Sequence, residues 1–305
     1  MNNETLNLLA EIGISEYDFE KSAFSIRENG SCAALNSTEN TKIIRKEDGS
    51  GIEIHIKPFT VGETAYIPAC VTKSGVKDIV TNDFFIGEGA SVTVVAGCGV
   101  HSNEKGEALH NGIHRFFLSK NAKIEYIEKH VGTGASQDKK INTQSEFVLA
   151  EGAVANVISE QIGGVDNAQR DTVATLSKDA VFTVHERLLT DGDNRVDTNF
   201  EVYLNGENSK VEIGSRSVAR GNSSQSYVSK IEGNAACTGY SSCDAILAEN
   251  GKCSATPRLD ANCGDADLIH EAAIGKIAGE QIMKLCSLGL TREEAEQKII
   301  EGFLK

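Results

Sequence analysis

The sequence predicts a mainly β chain wound as a β-solenoid (a parallel β-helix), with short α-helical segments at its N- and C-termini. Three observations carry this expectation. One turn motif recurs at a nearly constant step, its flanks alternate apolar and polar residues, and helical spacing is confined to the two ends of the 305 residues. The motif is an aliphatic residue, a polar turn with Gly, Asn or Asp, then a small residue. Its copies are Ile86-Gly-Glu-Gly-Ala90, Leu118-Ser-Lys-Asn-Ala122, Leu149-Ala-Glu-Gly-Ala153, Leu176-Ser-Lys-Asp-Ala180, the looser Leu204-Asn-Gly-Glu-Asn-Ser209, and Ile231-Glu-Gly-Asn-Ala235. Between last positions the steps are 32, 31, 27, 29 and 26 residues. A fixed step of this size marks stacked repeats, in which no unit can bury its apolar face alone. A large antiparallel β-sandwich also uses short strands and Gly turns, but the regular step favours the solenoid.

Taken in order, residues 3–11 read as a short helix ended by Gly13, and a polar, irregular stretch runs to about Ser50. Ile52, Ile54 and Ile56 then alternate with Glu53, His55 and Lys57, a strand pattern. Val92–Val95, Ile124–Ile127, Phe182–His185 and Val211–Ile213 continue it beside the motif copies. In the tail, Ile269, Ala273, Ile277 and Leu285 fall near one helical face, with Gly289 as a stop. Thr291-Arg-Glu-Glu294 opens a second helix as a capping box, and Ala295, Ile299 and Phe303 recur every four residues. The expected division is 1–49 (helical or irregular), 50–262 (β-helix core) and 263–305 (helical). The tail helices serve either as a cap on the solenoid or as a docking surface.

The net charge of −14 argues against nucleic acid and against an anionic membrane surface, since both need a basic face. No apolar run approaches the roughly 20 residues that cross a bilayer. Met1 to Ile12 lacks the basic and apolar segments of a secretory signal. The expected location is therefore the cytoplasm, where the eight Cys stay thiols. Most of them read as small buried hydrophobes.

The chain has no Gly-x-x-x-x-Gly-Lys-Ser/Thr phosphate loop, no Gly-x-Ser-x-Gly elbow and no Gly-x-Gly-x-x-Gly fingerprint. Two groups of residues have metal-binding chemistry. Cys98, His101, His110, His114 and His130 offer thiolate and imidazole. However, His110 and His114 sit about 13 Å apart along a strand. Cys237, Cys243, Cys253 and Cys263, followed by Glu280, have the spacing of neither a zinc finger nor a ferredoxin. They suit a transient sulfur or iron site, which needs a thiolate, few ligands and an exposed edge.

In the order of its motifs the chain resembles the SufB/SufD family of iron–sulfur cluster assembly proteins, in the short form found without a separate SufD. The resemblance runs from about Tyr66 to Leu304. It rests on Ile86-Gly-Glu-Gly-Ala90, Gly97-Cys-Gly-Val-His101, Glu128-Lys-His130, Ser215-Arg-Ser-Val-Ala219, Cys243-Asp244 and Pro257-Arg-Leu259. It continues through His270-Glu-Ala-Ala-Ile-Gly-Lys-Ile-Ala278, Gly289-Leu290 and Gly302-Phe303-Leu304. It implies a right-handed parallel β-helix, dimerisation through that β-helix, and a scaffold role rather than an enzymatic one. It also implies C-terminal helices that dock a SufC-type ABC ATPase, with Ile269, His270, Glu271, Ile277, Leu285, Ile299 and Phe303 as docking residues. The cargo it implies is a transient iron–sulfur cluster, met by proteins that donate sulfur and accept clusters. Carried over residue by residue, the cluster thiol falls on Cys253 and the assisting carboxylate on Glu280. Cys243, Cys237, Cys263 and His101 are secondary candidates. The histidine that SufD supplies falls on Ala255, and the Gly-His of the short forms reads Gly239-Tyr240. A homodimer would therefore present two Cys253 or recruit other ligands. The competing readings are a β-helix carbohydrate enzyme, to which few aromatics and eight thiols are poorly suited, and a purely structural, polymerising solenoid.

Overall fold

The structure, a computed structural model, describes residues 2–305 and, at residues 16 and 17, the backbone alone. Residue 1 of the N-terminal segment lies outside the described residues. The chain opens with α1 (Asn3–Glu11) and a 3-10 turn (Glu16–Phe19). Strands β1 (Ala23–Glu28), β2 (Ser31–Asn36), β3 (Thr41–Arg45), β4 (Ile52–Ile56), β5 (Val61–Tyr66), β6 (Ala69–Val71) and β7 (Lys77–Ile86) follow. Regular coils of two strands each then begin: β8 (Ser91–His101) and β9 (Ala108–Leu118), β10 (Lys123–Thr133) and β11 (Lys139–Leu149), β12 (Val154–Ile162) and β13 (Asn167–Leu176). They continue with β14 (Val181–Thr190) and β15 (Arg195–Leu204), β16 (Lys210–Ala219) and β17 (Ser224–Gly233), and β18 (Thr238–Leu247) and β19 (Lys252–Ala261). The last strand is β20 (Asp267–Gly275), and helices α2 (Gly279–Ser287) and α3 (Arg292–Phe303) complete the chain. The even strands from β8 stack in parallel as one sheet and the odd strands from β7 as a second, giving a parallel solenoid of about eight coils. Among the described residues no helix is long and apolar enough to cross a membrane.

The recurring motif is the corner between the two sheets, and its Gly, Asn and Asp have one cause. Gly89, Asn121, Gly152, Asp179 and Asn208 occupy equivalent corner positions with φ of 64°, 55°, 68°, 58° and 58°. Only Gly and the short, locally hydrogen-bonding Asn and Asp tolerate that left-handed backbone well. The small residue after each corner is buried: Ala90, Ala122, Ala153 and Ala180 are fully enclosed, as is Ser209. Strand register corrects the sixth copy. Leu204 pairs with Gly233 and Lys210 with Thr238, so the corner begins two residues after Ile231 and its small residue is Cys237.

Two further boundaries differ from the sequence reading. The stretch before Ser50 is not irregular but carries β1 to β3, short strands of mixed apolar and polar residues that lack the recurring corner motif and are placed by their pairing. In the tail, residues 267–275 form β20, not a helix. Ile269 lies 46% exposed and His270 points the other way, which is strand alternation. The four-residue spacing of Ile269, Ala273 and Ile277 there is coincidental. Parallel pairing with β18 along its whole length outweighs helix propensity, and the core continues to Gly275.

Parallel, in-register stacking sorts the interior into columns. On one side Phe84, Phe116 and Phe147 occupy successive coils, their rings stacked at 4.3 and 4.6 Å. Ile86, Leu118, Leu149, Leu176 and Leu204 form the column beside them. The other side is polar. Glu128 receives the Tyr126 hydroxyl at 3.2 Å and faces Arg170 at 3.6 Å. Arg170 meets Glu186 at 3.2 Å, and Glu186 accepts the Ser215 hydroxyl at 2.6 Å. Burial acts to raise the Glu128 carboxyl and to lower His130 beside it. His130, with Nε2 3.3 Å from the Glu128 carboxylate, and after it Arg170 hold Glu128 ionised, well below the usual carboxylate range.

Three substitutions test this packing. Phe147→Ala removes the middle of a stacked column and should cost about 3–5 kcal/mol, read as a lowered urea midpoint. Arg170→Met leaves two buried carboxylates without their cation and should cost about 3–5 kcal/mol. Lys120→Met, at the exposed Lys120–Glu151 pair, should cost no more than about 1 kcal/mol.

Candidate functional site

The two ends of the solenoid differ. The first coils start from antiparallel hairpins, β1 with β2 and β3 with β4. At the other end β19 and β20 each hydrogen-bond to one neighbour and present a free edge. Their residues are half-buried or exposed, so the tail helices do not seal this end. α2 and α3 pack chiefly on each other through Ile282, Ala295 and Ile300.

Cys253 lies near the start of β19, directly above Gln225, half-buried at this open end. Cys243 and Ser217 are the neighbours that act on its thiol, Cys243 most strongly. Together they outweigh burial and pull the Cys253 thiol below its ordinary value, towards thiolate. Cys243, on β18 and 1% exposed, is pushed the other way by the neighbouring Cys253 and by burial, and holds its proton. On the next strand of that sheet, His270 of β20 lies above Ser241, whose hydroxyl is 2.7 Å from Nδ1. Its Nε2 is buried with no partner, its ring lies over Tyr227, and burial lowers its pKa. It therefore stays neutral near pH 7, the form of imidazole that binds metals.

The remaining sequence candidates are distributed as follows. Cys237 takes the small-residue corner position and packs with Ala266 and Leu268, where it replaces an alanine. Cys263 sits in the corner before β20, half-buried. Glu271 faces outward and accepts the Tyr240 hydroxyl at 2.8 Å. Glu280 is exposed in the first turn of α2. His101 is at the end of β8, with Nδ1 on Thr133 at 2.8 Å and Nε2 on Asn103 at 3.1 Å. Five strand spacings, about 24 Å, separate β8 from β18. Among the docking candidates, Ile277, Leu285, Ile299 and Phe303 are half-buried in the tail, while Ile269, His270 and Glu271 belong to β20 instead.

The histidine-rich group is a separate place. His110 and His114 point into the lumen, and both Nε2 atoms lie within 3.4 Å of the point that a Cβ on Gly112 would occupy. Their tips thus converge far more closely than strand spacing alone suggests, because Gly112 leaves room between them. Their other nitrogens hydrogen-bond Asp78 and Tyr126 at 3.1 and 2.8 Å. With Cys98 and Arg27 they line a cavity of about 280 Å³. Burial lowers His114 to about 4 and pushes the Cys98 thiol well up. Among the described residues no three His, Cys, Asp or Glu side chains are grouped to hold a metal ion. The sequence reading missed His270 and Ser217 as parts of the site. Their signal was the strand alternation of 267–275 and the Ser215-Arg-Ser217 motif, and neither can be used until the register of the coils is known.

Comparison with known proteins agrees with this architecture. The family model for the SUF system FeS cluster assembly, SufBD core domain, matches residues 77–303. An iron–sulfur cluster assembly SufBD family protein of Archaeoglobus fulgidus is 32% identical over 275 residues, covering 88% of this chain and 71% of that protein. One of Methanocaldococcus jannaschii is 29% identical over 239 residues, covering 77% and 74%. One of Methanothermobacter thermautotrophicus is 29% identical over 228 residues, covering 71% of this chain and 53% of the longer relative. The open-ended solenoid with its terminal thiol, the core match and these relatives together place the chain in the SufBD family of iron–sulfur cluster assembly proteins.

Proposed function

We propose that the chain is a scaffold component of a SUF-type assembly complex, on which a nascent iron–sulfur cluster is built and then released, and that it is not itself an enzyme. The observation that carries this reading is the half-buried thiol at the open end. Its neighbours Cys243 and Ser217 pull Cys253 towards thiolate, and a thiolate binds iron and accepts sulfur where a thiol does neither well. Iron and sulfide are cargo here. The neutral imidazole of His270 is a second donor within the same coil. Glu280, a harder and weaker ligand than Cys, suits an exchangeable iron.

A second copy of the chain would complete the ligand set. The free edges of β19 and β20 can pair with another chain, and a two-fold contact there would bring two Cys253 together. Eight free thiols suit a reducing cytoplasm. With no phosphate loop of its own, the chain would rely on an ABC-type ATPase of the SufC kind for nucleotide chemistry. The tail is the proposed dock, since Met283 and Leu288 stand 66% and 74% exposed on it. Separate proteins would donate sulfur and accept the finished cluster.

Cys253→Ser should abolish cluster reconstitution, followed by sulfur-to-iron charge-transfer absorbance, while the fold persists. Cys32→Ser, on β2 at the other end, should leave it unchanged. Wild-type assembly by Cys253→Ser would end the reading. Glu280→Gln and Glu271→Gln, compared in the same assay, identify which carboxylate assists, with loss expected for Glu280. For docking, removal of residues 276–305, or Met283→Glu with Leu288→Glu, should eliminate co-purification with the ATPase. Retained binding in the truncated chain would refute the tail as the dock.

A further inference from the structure

We propose that His110 and His114 form a second metal site, which takes one divalent first-row transition-metal ion on two imidazoles and leaves its other positions to water or an incoming ligand. The site is independent of the scaffold reading. It lies on β9, five strand spacings from β19 in the same sheet, or about 24 Å from the strand that carries Cys253.

Three features carry the argument. The first is position. His110, Gly112 and His114 alternate along β9, so all three face the lumen, with the glycine between the two rings. A Cβ on Gly112 would meet His110 Nε2 at 3.1 Å and His114 Nε2 at 3.4 Å. Both tips therefore border the space that the missing side chain leaves.

The second feature is the direction of the lone pairs. His110 Nδ1 is 3.1 Å from the Asp78 carboxylate, which only accepts, so that nitrogen carries the proton. Tyr126 gives its one proton to Glu128 at 3.2 Å. Its oxygen, 2.8 Å from His114 Nδ1, therefore accepts the proton of that nitrogen. Asn82 agrees with this assignment: its Oδ1 accepts from the Ile52 amide at 3.2 Å, and its Nδ2 faces His114 Nε2 at 3.4 Å. In the neutral rings both Nε2 lone pairs are thus free and border one place. Each ring is held from behind by an oxygen, as histidines that ligate metals are.

The third feature is the surroundings. The rings border the cavity of about 280 Å³, whose wall also includes exposed Ser31, Arg45 and Gly49, so an ion has a way in. Arg27 is paired with Asp78 at 2.6 Å and Lys46 with Asp83 at 2.8 Å. Neither charge is left to oppose a cation, and Arg45 stands at the mouth where water screens it. Among the described residues no carboxylate lines the cavity, which disfavours magnesium and calcium, since both need oxygen ligands. Imidazole suits zinc, copper, iron and nickel. With only two side chains converging, the site lacks the four ligands that close a structural zinc centre, and its ion is exchangeable.

The test uses the whole reduced chain under anaerobic conditions, with cobalt(II) chloride as the probe. Equilibrium dialysis counts bound ions, and absorbance sorts them by ligand. Wild type should bind one cobalt per chain that shows d–d absorption without the sulfur-to-cobalt charge-transfer band of a thiolate site. Zinc chloride should displace it and calcium chloride should not. His114→Gln should lose this ion. Gly112→Ala should lose it as well, because the methyl takes the space between the tips while both histidines remain. Cys253→Ser should keep it. Wild type that binds no cobalt, or only cobalt with the sulfur band, overturns the proposal whatever the variants do. Folded Gly112→Ala and His114→Gln that keep the sulfur-free ion also overturn it, and displacement by calcium overturns the class of ion.

Discussion

The spacing between hydrogen-bonded parallel strands, about 4.8 Å, governs this molecule. Each inward side chain has the equivalent side chain of the next coil directly above it at that distance, so a choice made in one coil constrains the next. Flat rings satisfy the constraint by stacking, as Phe84, Phe116 and Phe147 do. Like charges do not, because two carboxylates so close in a low dielectric cannot both stay ionised. Glu128 and Glu186 are accordingly placed with a coil between them and the guanidinium of Arg170 in the gap from the facing sheet. The thiols follow the same rule: Cys243 stands above Ser215 in one sheet and Cys253 above Gln225 in the other, so neither stacks on a second thiol.

The same constraint explains why chemistry gathers at one end. A column ends where no further coil supplies the next residue, so its last members have no partner above them. His270 is the last of its column and keeps an unpartnered Nε2; Cys253 is the last of the other. The opposite end begins with antiparallel hairpins and has a different surface. Because the two ends are unlike, a contact between two free-edge ends would join like to like and close as a pair. A head-to-tail contact would instead grow without limit.

Much of this was legible in the sequence because the corners are chemically marked. A left-handed residue followed by a buried small one needs Gly, Asn or Asp and then Ala, and that signature recurs at the coil length. Strands β1 to β3 were not legible, since they carry no corner motif and their place is set by pairing with one another and with β4 to β6. Residues 267–275 were misread because Ile269, Ala273 and Ile277 happen to repeat every four, and only the ladder with β18 shows the true period. At the site, Cys253 could be named from motif order. The influence of Cys243 and Ser217 on it could not, because strands in different sheets have no sequence signal for which residues oppose each other. The closeness of the His110 and His114 tips was hidden for a similar reason: it depends on what Gly112 lacks.

A solenoid coil gains its stability from the coil on either side, and the terminal coil has only one. Opening of β19 and β20 therefore costs a fraction of the global unfolding free energy, and it can occur while the stacked aromatic columns stay intact. Cys243 is buried in the average structure yet lies one strand from this weakest edge. Its access to solvent is thus set by the fraying of a single coil, so amide exchange rates should be graded along the axis and fastest beside the thiols. Anything that adds a neighbour to that coil slows the fraying and shuts the thiols away from solvent.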